Sequence, residues 1–237
     1  MKLSSILALA GAAMASAAAA QSATEVPSPN EIPAVGDNSL ERTIDETERD
    51  RAAGKLGDQD ARLALQHYGS CVAGSATGEA GRVLAMDFTT PTYKNALRLL
   101  SRDAARFCAS KAFGTGVLRS ANLLFAGEVA EALLEKSGGP LGAQFAKAAA
   151  GAAPSGFSLT DKMAICVVRS VPDQVAAVFA TERDSAAESA AITALATPAQ
   201  MCGKAVGATK PVSISPAGLR AMLATAAFRS VRAGAVS

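Results

Sequence analysis

Ala121-Asn-Leu-Leu-Phe-Ala-Gly-Glu-Val-Ala-Glu-Ala-Leu-Leu-Glu135 decides the fold class. Leu123, Leu124, Phe125, Val129, Leu133 and Leu134 recur at helical intervals, and an apolar stripe of this kind must bury itself against other elements. Glu128, Glu131 and Glu135 fall on the other side and are expected to face solvent. Gly138-Gly-Pro140 then stops the helix, because glycine turns left-handed freely and proline forbids continuation. Outward from this segment the texture stays the same. Alanine, the best helix former, is abundant, and no alternating run of strand length interrupts it. The sequence predicts an all-α chain, with helices over 59–73, 78–87, 91–100, 102–112, 120–136, 141–150, 159–170, 173–182, 185–196, 198–205 and 216–231.

Four cysteines punctuate these helices at Cys71, Cys108, Cys166 and Cys202, in two gaps of 37 and 36 residues. Four cysteines allow three disulfide connectivities. The near-equal gaps favour Cys71 with Cys108 and Cys166 with Cys202, one stapled unit written twice. Zinc fails on spacing, since no C-x-x-C or H-x-x-x-H pair exists and structural zinc sites rely on such close pairs. Nothing in the chain implies a metal or any other cofactor.

Sliding the chain on itself by 94 to 96 residues brings Cys71-Val72 onto Cys166-Val167, Phe107-Cys108 onto Met201-Cys202, and Leu123 to Ala126 onto Leu219 to Met222. Helix-start signals recur in the same order. Asp58 and Asp60 open the first cysteine helix, and Ser158-Leu-Thr-Asp161 opens the second as a capping box. Thr90-Pro91 pairs with Asp184-Ser185, Ser101 with Thr197-Pro198, and Ser120 with Ser215-Pro216. The expected architecture is a pseudo-symmetric bundle of two disulfide-stapled multi-helix repeats, residues 58–150 and 151–237, packed as one domain.

The N-terminus reads as a secretory signal peptide over residues 1–20. Lys2 supplies the positive start, Ile6 to Met14 the apolar middle, and Ala15 to Ala20 the small-residue exit. Removal would leave a mature chain without a transmembrane segment, in a periplasm or the medium, where disulfides persist. Residues 21–57 hold Pro27, Pro29, Pro33 and many charges but few large apolar groups, and are expected to form a flexible acidic leader.

Charge divides unevenly. Residues 21–60 carry a net −6 and residues 61–237 a net +7. A basic body behind an acidic leader points to an acidic envelope protein, an anionic polymer or a lipid headgroup as partner. Dispersed arginines and few aromatic residues argue against nucleic acid. The segments Lys111 to Arg119 and Lys204 to Val212 each follow the second cysteine of a repeat. Lys111, Arg119, Lys204 and Lys210 would form a paired basic rim for an anionic ligand if the two segments lay side by side.

Catalytic signatures are weak. His67 is the only histidine, with Ser70 one helical turn on, yet Ser70 lacks the G-x-S-x-G elbow and an oxyanion site. Glu128 and Glu131 are spaced for acid and base work, but they sit on the presumed solvent face. No phosphate-binding loop occurs, and Gly114-Thr-Gly116 alone is too short a dinucleotide signature. The first functional expectation is an exported, non-enzymatic interaction or scaffold protein of a bacterial envelope. The alternatives are a small-ligand or lipid binder with a pocket between the repeats, and a hydrolase centred on His67. Oligomeric state is left open.

Overall fold

The computed structural model describes residues 58–113, 118–210 and 212–235. The signal peptide over 1–20 and the acidic leader over 21–57 lie outside the described residues. Within them the chain is all-helical, with no strand. In order come α1 (Asp58–Ser75), α2 (Thr77–Leu84), α3 (Pro91–Phe113), α4 (Asn122–Lys136), α5 (Leu141–Ala150), α6 (Leu159–Ser170), α7 (Pro172–Phe179), α8 (Ala186–Ala194), α9 (Ala196–Ala205) and α10 (Pro216–Ala235). None of these helices is long and apolar enough to cross a membrane.

Side-chain caps account for several of the starts. The hydroxyls of Thr90, Ser158, Ser185 and Ser215 accept from the backbone N–H of Tyr93, Asp161, Glu188 and Gly218, at 3.0–3.2 Å. Two expected starts are corrected. Ser101 opens nothing, because α3 runs unbroken through it, and its carbonyl accepts instead from the Tyr68 hydroxyl. Leu97, Leu100, Ala104 and Cys108 bury one continuous face of α3, and that packing overrides the local helix-start signal. Ser120 caps nothing either; α4 starts behind Ala121 without a side-chain cap.

Two disulfides join the helices, Cys71 of α1 to Cys108 of α3 and Cys166 of α6 to Cys202 of α9, each with Cα atoms 5.7 Å apart. At the centre, α4 and α10 form the most extensive helix pair. They run antiparallel, since Gly127 meets Ala221, Glu131 binds Arg220, and Leu123 shares a cavity with Met222 and Thr225. A Cβ on Gly127 would lie 2.5 Å from both the Cα and the Cβ of Ala221, so the backbones approach as closely as they do only because the hydrogen is there. α1 packs on the outer side of α4, with α3 on α1, while α6 packs on α10 and α9 on α6. α5 bridges α10 and α7.

The expected solvent face of α4 is also corrected. Glu131 is 2% exposed and Glu128 is nearly buried, and only Glu135 faces water. Helix α4 is covered on both sides, by α1 and by α10, so its polar flank meets protein and is neutralised by arginines.

Candidate functional site

The basic residues singled out from the sequence do not share one rim. Lys204 and Lys210 line a cavity of about 520 Å³ with Met163, Ile192 and Leu219. Arg119 lines a different cavity of about 480 Å³, with Arg98, Arg102, Tyr68 and Phe125. Lys111 is exposed near the end of α3. The antiparallel run of α4 and α10 puts the segments that precede them at opposite ends of the pair, and Arg119 and the two lysines line different recesses.

His67 and Ser70 are exposed on α1, and among the described residues no hydrogen bond joins His67 to Ser70 or to Asp60. No group of His, Cys, Asp and Glu among the described residues is arranged to hold a metal ion. Phe107 and Met201, the residues before the bridged Cys108 and Cys202, are the most exposed large apolar side chains among the described residues, at 64% and 67%.

The densest chemistry is a chain of charges through the core. Arg220 of α10 donates to both oxygens of Glu131 and, from Nη1, to Glu188 at 2.9 Å. Glu188 accepts two further bonds from Arg62 of α1, at 3.0 and 3.1 Å, and one from the Asp184 amide at 2.8 Å. Arg62 also pairs with Asp184. Arg183 binds Glu128 at 2.6 Å and Glu131 at 3.1 Å. Burial works to raise the Glu188 carboxyl, but the bonds from Arg62, the Asp184 amide and Arg220 outweigh it and hold the group down at about 2. Arg220 is likewise held above its ordinary value: burial opposes the charge, and Glu131 and Glu188 overcome that opposition. For Glu128 burial wins over Arg183, and its carboxyl is raised. A network whose carboxylates are all engaged by arginines offers no free base or nucleophile. It fastens α1, α4, α8 and α10 together.

Arg62, Arg183, Glu188 and Arg220 escaped sequence reading, although two signals were present. Ser185-Ala-Ala-Glu188 is a capping box, and its glutamate returns to the neighbouring Asp184 amide. Arg220 interrupts the apolar run Leu219-Arg-Ala-Met-Leu223, where an unpaired charge would be costly.

A third cavity has a volume of about 240 Å³. Leu84, Met86 and Phe88 line it from the end of α2 and the turn after it, Tyr93 and Lys94 from α3, Leu123 from α4, Asp161 from α6, and Met222 and Arg229 from α10. Arg229 pairs with the buried Asp161, donates to the Ser155 carbonyl at 3.2 Å, and lies over the Phe157 ring at 4.9 Å from its centroid. Asp161 in turn accepts from the Phe157 amide at 2.9 Å.

Set beside protein-family models, curated proteins and solved structures, the chain matches none. Its residues offer two basic recesses, a third and chiefly apolar cavity, and a pair of exposed apolar side chains on a cross-braced frame.

Proposed function

We propose that the protein is an exported, non-enzymatic interaction protein built from a duplicated disulfide-stapled unit, and that it presents the same apolar contact twice, at Phe107 and Met201. The carrying observation is their paired exposure: 94 residues apart in sequence, each directly precedes the second cysteine of a bridge. A large apolar side chain at that degree of exposure gains by burial against a partner, at about 25 cal/mol per Å² covered.

Duplication is supported by the order of elements. Helices α1, α2 and α3 and then α4 have counterparts in α6, α7, the broken pair α8 and α9, and then α10, with α5 as the link. Gly127 meets Ala221 at the same 94-residue offset, so an element of one unit touches its own counterpart, as happens on the axis of a two-fold dimer. Export is supported by the signal-like N-terminus and by two disulfides. The partner class is an acidic envelope protein, because the body outside the leader is basic.

A photo-crosslinking amino acid placed at 107 and, separately, at 201 in cells tests this reading. The same adduct should form from both positions. Adducts to unrelated proteins, or to none, would refute it.

A further inference from the structure

The Tyr93 hydroxyl has no protein partner among the described residues. The side chain is 7% exposed and lines the 240 Å³ cavity. Ser230 carries the only described side-chain polar atom that is both sealed from solvent and without a partner, so the Tyr93 hydroxyl stays accessible, and Tyr93 lines the cavity. Burial raises the phenol to about 12, so it stays protonated well above neutral pH. A ligand acceptor can take the place of water on an accessible donor at the wall of a chiefly apolar cavity.

The charges around the cavity point to the sign of that acceptor. Asp161 and the Ser155 carbonyl already engage both terminal nitrogens of Arg229. Lys94, next to Tyr93 on α3, is exposed and makes no ion pair among the described residues. Leu84, Met86, Phe88, Leu123 and Met222 make the rest of the wall chiefly apolar. A cavity of ~150 Å³ admits benzene, so 240 Å³ has room for about ten non-hydrogen atoms.

We propose that this cavity binds a medium-chain monocarboxylate, whose carboxylate accepts from the Tyr93 hydroxyl and the Lys94 ammonium while its chain lies against Phe88, Leu123 and Met222. An eight-carbon fatty acid has the required size. Neither Phe107 nor Met201 lines the cavity, so this site stands or falls separately from the docking surface.

Calorimetric titration of the full chain with octanoate, octan-1-ol and octylamine tests the site. Octanoate should bind, and should bind more tightly than either neutral or cationic analogue. Tyr93→Phe, which removes a single oxygen, should weaken octanoate about tenfold, and Lys94→Glu at least as much. Met222→Trp should fill the cavity and abolish binding, with its melting curve showing that it folds. Absence of octanoate binding, equal affinity for octan-1-ol or octylamine, or a Tyr93→Phe protein that binds octanoate as well as the wild type would overturn the proposal.

Discussion

Arg220 of α10 grips Glu131 of α4 through both carboxylate oxygens, Nε to Oε2 at 3.0 Å and Nη2 to Oε1 at 2.7 Å. The pair is sealed, so its desolvation is complete and each charge depends on the other. Glu131→Ala should cost about 3–5 kcal/mol, because it leaves buried arginines short of a counter-charge. The exposed pair of Arg82 and Glu79 provides the contrast, and Glu79→Ala should change stability by less than about 0.5 kcal/mol. Urea unfolding of the two variants checks both; similar losses would mean the buried pair contributes no more than a surface one.

Acid should dismantle the same network in a definite window. A carboxyl held low in the folded state adds stability that is complete above its unfolded pKa and is lost as pH falls through the folded one. For Glu188, at about 2 in the fold, on the order of 3 kcal/mol should disappear between about pH 4.5 and pH 2. Stability measured across that range should fall less steeply in Glu188→Gln than in the wild type. Parallel slopes would show that Glu188 is not so shifted.

The close approach of α4 and α10 makes Gly127 intolerant of any side chain. Gly127→Ala places a methyl group against the Ala221 backbone, and the helices must part to admit it. The expected loss is about 3 kcal/mol, or roughly 6–12 °C in Tm for a chain of this size. Gly78, whose added Cβ would meet nothing within 4 Å, should accept alanine without loss. Thermal melts of Gly127→Ala and Gly78→Ala should therefore separate clearly.

Both bridges close loops of nearly equal length, so their removal should cost nearly the same. On the chain-entropy view each loop of 37 or 36 residues restrains the unfolded state by about 4 kcal/mol. Cys71→Ala with Cys108→Ala, and Cys166→Ala with Cys202→Ala, should be destabilised alike. Non-reducing peptide mapping should find no peptide that joins Cys71 or Cys108 to Cys166 or Cys202.

The helical class was legible in the stripe from Leu123 to Leu134 and in the abundance of alanine, and the caps at Ser158, Ser185 and Ser215 could be read from short polar signals. Ser101 misled because a serine inside a helix looks like a start when the buried face running from Leu97 to Cys108 is not weighed with it. Glu131 misled for a different reason. A single helix shows which side is polar but not whether a second helix will cover that side, and the arginines that neutralise it lie 52 and 89 residues away in sequence. The lining of the 240 Å³ cavity was not legible for the same reason: its walls come from five helices and gather only in the fold.

The paired surface is tested most directly by quantitative capture from the native envelope at low salt, with wild type, Phe107→Ser, Met201→Ser and the double variant as baits. Each single substitution should lower recovery of one common partner, and the double variant should lose it while keeping the wild-type melting temperature. Undiminished recovery by the folded double variant would contradict the claim that these two residues form the duplicated contact.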